Sequence, residues 1–289
     1  MSGAPRPDWP AGPRVSPMNR LRRLRPRARP RFKGPSFNRI IPNLLTLMGL
    51  CAGLTSLRLA LESRFGAAAV AIVVAGAIDG LDGRLARLLN ATTRFGAEFD
   101  SLTDFLCFGV APAFTLYLWS LQRAGAFGYT PCLMFAVCMA LRLARFNASL
   151  DSAPRPAYAY NFFTGVPAPA GAGLALFPLF LGLEARSMGW GWLLAAMQYP
   201  LFCAFVLIGT ALLLVSTLPI WSFKNFKVPH EYVLPLLLGT GTFIAVLVAD
   251  PWLALAAGDV IYLVLLPFSV RSFHRLRRAA EEMREIAEE

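Results

Sequence analysis

The stretch Ala77-Ile-Asp-Gly-Leu-Asp-Gly-Arg-Leu-Ala-Arg87, followed after a short break by Gly96-Ala-Glu-Phe-Asp-Ser-Leu-Thr-Asp104, decides both the fold and the chemistry of this chain. Asp79, Asp82, Gly83, Ala86 and Arg87 stand at i, i+3, i+4, i+7 and i+8, which on an α-helix is one face. Gly96, Asp100 and Asp104 follow at intervals of four and share a face of the next helix. A turn near Asn90–Arg94 joins the two segments as an antiparallel hairpin with those faces opposed, so the carboxylates of Asp79, Asp82, Asp100 and Asp104 converge.

Their surroundings are apolar. The 289 residues are 56% hydrophobic and 16% charged, with a mean hydropathy of +0.52, against about 25% charge in an ordinary soluble domain. Runs of about 20 apolar residues, long enough to cross a hydrocarbon layer of about 30 Å, recur between Ile40 and Val270. The pattern predicts an all-α, polytopic membrane helix bundle of about eight transmembrane helices, over 39–61, 66–90, 95–121, 126–148, 164–183, 198–220, 231–249 and 252–270. An even count puts both termini on one side. With the N-terminus inside, the inner segments carry Arg94, Arg155, Lys224, Lys227, Arg271, Arg275, Arg277 and Arg278, and the outer loops only Arg64, Arg123 and Arg186. That asymmetry makes the shared side the cytoplasm.

Three regions follow. Residues 1–38 form a basic, Pro-rich arm without apolar period, read as disordered and cytoplasmic. No short apolar region with a cleavage site follows it, so it does not read as a signal peptide. Joined to a membrane span, it reads as an anchor held by anionic lipid, at about 1 kcal/mol per basic residue near the surface, and not as a nucleic-acid tail. Residues 39–270 form the transmembrane domain, and 271–289 a cytoplasmic tail with a short helix on which Leu276, Ala280, Met283 and Ile286 keep helical spacing. Cys51, Cys107, Cys132, Cys138 and Cys203 are odd in number, lie in apolar runs and form no CxxC, so they read as small packing residues.

An intramembrane carboxylate costs about 2.5–3.5 kcal/mol even on the lenient insertion scale, and four together repel one another. A bound cation resolves both problems. With carboxylates alone and neither His nor Cys in the cluster, the ion is hard and oxygen-seeking: Mg²⁺ or Mn²⁺. Four carboxylates can hold two ions, the arrangement that grips both oxygens of a phosphoryl displacement. Arg87 offers a fork for phosphate, and Gly83, Ala86 and Gly96 remove bulk where a ligand would lie, though close helix packing explains small residues equally well. Proton relays and ion-coupled transporters also use intramembrane acids, but near the midplane on broken helices, not at the inner end of a hairpin.

The pattern Asp79-x2-Asp82-Gly83-x2-Ala86-Arg87-x8-Gly96-x3-Asp100-x3-Asp104 resembles, at every fixed position, the signature of the CDP-alcohol phosphatidyltransferase family. Chance agreement at its fixed positions is on the order of one in a billion per start site. Phe108-Gly-Val-Ala-Pro-Ala113, Leu141-Arg-Leu-Ala-Arg-Phe-Asn147 and Phe163-Thr-Gly-Val-Pro-Ala-Pro169 are most similar to the bacterial branch that accepts L-serine, and Pro42-Asn43-Leu-Leu-Thr46 to the family's first-span motif. The resemblance implies a homodimer in the bacterial inner membrane with its active site toward the cytoplasm. It also implies two divalent ions on the four aspartates, with CDP-diacylglycerol and L-serine as substrates. Asn43, Thr46, Gly83, Ala86, Arg87 and Gly96 would hold the CDP moiety. Asp100 and Asp104 are the catalytic candidates, Asp104 as general base. Glycerol 3-phosphate, inositol and choline are the alternative acceptors within the family.

Serine is a zwitterion and needs a cation for its carboxylate. Arg142, Arg145 and Asn147, near the inner end of the fourth span, are candidates for serine or a lipid phosphate, with positive-inside flanking charge as the plainer reading of the arginines. Asp151 is a candidate for the ammonium. Asp259, mid-span in the eighth helix, reads as a buried, hydrogen-bonded structural acid.

Overall fold

Where the first two helices meet, small residues line the contact and large ones mostly face outward. The computed structural model describes residues 37–89, 91–150, 162–221 and 230–288. Helix α1 (Phe37–Leu61) packs along α2 (Phe65–Leu88). Ala60, Ala68, Ala69 and Ala75 are buried between neighbours, whereas Leu44, Leu54, Val70, Val74 and Leu81 are exposed. Large exposed side chains on helices this apolar face lipid tails, and small ones let the backbones approach, the division expected inside a bilayer. At Gly53 the approach is close: a Cβ there would collide with Cys107 Sγ of the next helix.

That next helix, α3 (Arg94–Trp119), carries Asp100 and Asp104 in its regular first section, then widens into a π-turn over Phe105–Val110. Ala111 N–H reaches back to the carbonyl of Leu106, five residues earlier. Pro112 follows at once. It has no N–H to donate and its ring would press on the carbonyl four residues back, so the wider turn relieves the conflict.

After a tight turn comes α4 (Ala126–Leu150), and then α5 (Ala168–Ser187), which is buried along most of its length. The short α6 (Gly191–Met197) and α7 (Pro200–Val215) meet at 52°, with Pro200 opening the second helix. Two strands, β1 (Phe162–Thr164) and β2 (Pro219–Trp221), pair antiparallel, with Phe163 opposite Ile220. Helices α8 (His230–Ala249) and α9 (Pro251–Glu288) end the chain. α4 packs on α7, and α9 on α5 and α8.

Among the described residues, the fold is helical apart from this ribbon and the connecting turns. Among the described residues, six helices are long and apolar enough to cross a membrane, or seven counting the bent pair as one span; Val233–Ala249 is a shorter apolar helix. This is a multi-pass membrane protein. The expected span over 198–220 is therefore shorter and bent, because Pro200 starts a new helix and residues after Val215 leave to form β2. The ribbon was not anticipated: Phe162-Phe-Thr and Pro219-Ile-Trp are apolar and β-prone, so they read as span ends. The tail is no separate short helix either, since α9 runs unbroken from the membrane segment to Glu288. The five cysteines are free, Cys107, Cys132 and Cys203 being buried. Residues 1–36 of the basic arm, together with Asp151, Arg155, Lys224 and Lys227, lie outside the described residues.

Candidate active site

The helix α2 brings Asp79 and Asp82 to its C-terminal end, and α3 returns with Asp100 and Asp104. Thr93 caps α3, its side-chain oxygen accepting from the Gly96 N–H at 3.0 Å. A threonine three residues before the first small residue of the face is a capping signal that could have been read from sequence. The turn's Asn90 lies outside the described residues.

One carboxylate oxygen each from Asp79, Asp82 and Asp100 lies within 4.8 Å of the others. Asp104, one turn beyond Asp100 on α3, lies outside that set but next to Asp79, with which it interacts. The Thr46 hydroxyl donates to Asp82 Oδ2 at 2.7 Å, tying α1 to the cluster. Asp82 is buried, 4% exposed, so its charge is not relieved by water. Ligand oxygens on opposite sides of a magnesium ion lie about 4.2 Å apart. A spread of at most 4.8 Å among carboxylate oxygens, with no softer donor among them, suits a hard divalent cation.

Beside the cluster, a cavity of about 260 Å³ opens between α1, α2 and α3. Asn43, Thr46, Gly83, Ala86, Arg87 and Gly96 line it, and so do Asp82 and Asp100. The glycines differ in what they do. A Cβ on Gly96 would come within 3.0 Å of Asn43 Oδ1 and 3.1 Å of Thr93 Oγ1, so this glycine permits a close approach. At Gly83 a Cβ would meet nothing within 4 Å. Helix packing therefore does not account for Gly83, and open cavity does.

The two faces of the cluster are chemically distinct. Asp82 and Asp100 border the cavity, while Asp79 and Asp104 are the pair with which the half-buried Arg142 interacts. Arg145 and Asn147 are otherwise engaged. Arg145 Nη1 donates to the Val215 carbonyl at 2.8 Å and Nη2 to that of Ser216 at 3.1 Å, closing the C-terminus of α7. Gly165, at φ +80°, lets the chain pass under this guanidinium, where a Cβ would lie 3.0 Å from Nη2. Asn147 Nδ2 donates to Ser101 Oγ at 2.9 Å, joining α4 to α3 one residue beyond Asp100. Of the three residues offered for serine, the structure brings only Arg142 to the aspartates. Asp259 departs in part from its reading: its Oδ2 is buried with no hydrogen-bond partner among the described residues.

Residues 39–202 match the sequence profile of CDP-alcohol phosphatidyltransferases, more than half of the chain, and residues 231–267 match that of a second group, CDP-alcohol phosphatidyltransferase 2. The chain belongs to the CDP-alcohol phosphatidyltransferase family. Among its relatives in that family, the CDP-diacylglycerol–serine O-phosphatidyltransferase of Mycobacterium tuberculosis is 41% identical over 235 residues, covering 81% of this chain and 79% of that one. The protein of the same name from Mycobacterium leprae is 40% identical over 245 residues, 85% of this chain and 79% of the other. The one from Helicobacter pylori is 32% identical over 225 residues, 78% and 88% respectively. The similarity thus extends well past the aspartate hairpin, over the segments that form the far side of the cluster.

Proposed function

We propose that this phosphatidyltransferase moves the phosphatidyl group of CDP-diacylglycerol to the hydroxyl of L-serine, releasing phosphatidylserine and CMP. One observation carries the reading: the cavity and the carboxylate cluster share Asp82 and Asp100, so a ligand in the former touches the latter.

In this account Asn43, Thr46, Gly83, Ala86, Arg87 and Gly96 seat the CDP moiety, with the Arg87 guanidinium against phosphate oxygens. Asp79, Asp82, Asp100 and Asp104 hold Mg²⁺ or Mn²⁺, two ions in all. When bound, such ions offset the charge of the pyrophosphate and of the departing CMP oxygen. Thr46 fixes one oxygen of Asp82 and so orients that carboxylate. Asp104 takes the proton of the serine hydroxyl. The freed oxygen forms a bond to the β-phosphorus, and the bond from that phosphorus to the bridging oxygen breaks, its electron pair leaving with CMP. Arg142 faces the incoming amino acid, while Arg145 and Asn147 hold the wall around it.

The positive-inside distribution supports a bacterial inner-membrane location with eight spans, both termini and the active site toward the cytoplasm. In this reading residues 1–38 lie on anionic lipid as a basic arm, 39–270 form the catalytic membrane domain and 271–289 the tail, in a homodimer.

The test is CMP release by the purified protein in detergent with CDP-diacylglycerol and Mg²⁺, adding serine, glycerol 3-phosphate, inositol or choline singly. Serine-dependent release, with the label of radioactive serine entering lipid in equal amount, is the expected result. Release that prefers another alcohol would overturn the acceptor assignment, and none with any alcohol would overturn the reaction.

A further inference from the structure

The side of the aspartates away from the nucleotide cavity holds a polar group that the sequence pattern never marked. Helix α9 turns one stripe toward the protein, Trp252, Leu255, Asp259, Tyr262, Leu266 and Ser269, spaced alternately by three and four residues. Leu266 and Ser269 are buried on it, and the Ser269 hydroxyl donates to the Pro219 carbonyl of β2 at 2.9 Å. Two turns deeper on the same stripe, the Tyr262 hydroxyl is shut off from solvent and, among the described residues, has no hydrogen-bond partner. On α4 the parallel holds: Arg145 is fixed beside the ribbon, to Val215 and Ser216, and Arg142 stands one turn deeper. Tyr262 and Arg142 interact with each other, and Arg142 interacts with Asp104 and Asp79.

A buried hydroxyl left unpaired costs about 1–3 kcal/mol, and inside a bilayer no bulk water can repair it. Its neighbour is an arginine, a donor only, which cannot accept the phenolic proton. Both groups are donors within electrostatic reach of each other, and Arg142 is also within reach of Asp79 and Asp104. The complement of two neighbouring donors is an anion that accepts from both. In-line displacement puts the attacking oxygen opposite the leaving group, and in the proposed reading the leaving nucleotide sits in the cavity bordered by Asp82 and Asp100.

We propose that Tyr262 is a specificity-determining residue of the acceptor site, its hydroxyl and the Arg142 guanidinium together donating to the carboxylate of the incoming amino acid. This rests on the serine-transfer reading above and names the group that distinguishes an amino acid from an amino alcohol. Ethanolamine, which is serine without its carboxylate, gains nothing from either donor.

The experiment compares wild type with Tyr262→Phe, using serine and ethanolamine as acceptors and CMP release as readout. The expected result is a rise of about tenfold in the KM for serine, the worth of one hydrogen bond to a charged group. The KM for CDP-diacylglycerol and any rate with ethanolamine stay within about twofold. The melting temperature is unchanged or higher, because the deleted hydroxyl has no partner to lose. An unchanged serine KM, equal rises in both KM values, or a fall in melting temperature each overturns the proposal. Wild-type protein that releases no CMP with serine fails the function itself, whereas an active wild type matched by Tyr262→Phe fails only this inference.

Discussion

Asp100→Asn is expected to lower kcat/KM by at least about 10³-fold while the protein inserts and folds as wild type, with CMP release and thermal melting read on one preparation. Asparagine keeps the shape and one oxygen of the side chain and removes only its charge. If the carboxylate merely filled space on α3, the substitution would be silent. If it helps to hold a cation against a pyrophosphate, the loss of that charge falls on the transition state, where several kcal/mol of stabilisation reside. The melting temperature separates these readings further. Asp79, Asp82 and Asp100 place oxygens within 4.8 Å of one another, so without a cation they repel, and neutralising one relieves the fold. Lost activity together with equal or greater stability in metal-free buffer marks a site held under strain for its ligand. Full activity in Asp100→Asn would refute the role.

Gly83→Leu is expected to raise the KM for CDP-diacylglycerol by at least about 30-fold without loss of stability. Glycine inside a helix is ordinarily a liability of about 1 kcal/mol relative to a good helix former, so leucine should stiffen α2 if nothing stands in its way. Nothing does: a Cβ at Gly83 would meet no atom within 4 Å. The same side chain would project into a cavity of only about 260 Å³, bordered by Arg87, Asn43 and Asp82. Gly53 provides the contrast, since a Cβ there meets Cys107 of α3 and the cost of substitution is structural. A Gly83→Leu protein that binds CDP-diacylglycerol normally, by saturation kinetics, would move the nucleotide elsewhere.

What could be read in advance was whatever depends on local period. The aspartate faces follow from spacings of three and four, and the membrane helices from apolar runs of sufficient length, so α1 to α5, α8 and α9 begin close to where the pattern put them. Tertiary partners are not periodic, and there the reading ran out. Arg145 and Asn147 stand next to Arg142 in sequence and look equally available. Yet the first closes α7, about seventy residues away, and the second bonds Ser101 on α3. The π-turn after Asp104 has a cause visible in Pro112, but whether a helix kinks, breaks or widens before a proline depends on what packs beside it. The ribbon of β1 and β2 pairs segments far apart in the chain, each too short to announce itself. Tyr262 carries no signal in the sequence, because a tyrosine on an apolar helix is ordinary, and only its surroundings show a buried hydroxyl without a partner among the described residues.

Whether the four aspartates form one divalent-metal centre is read from manganese binding, without any turnover. Paramagnetic resonance of the purified protein, titrated with Mn²⁺ in the presence of CDP-diacylglycerol, counts bound ions and reveals whether they sense one another. Two ions per chain are expected, magnetically coupled by proximity, with Asp100→Asn losing at least one of them. A wild-type protein that binds no Mn²⁺ in stoichiometric amount, or one whose binding is indifferent to that substitution, would contradict it.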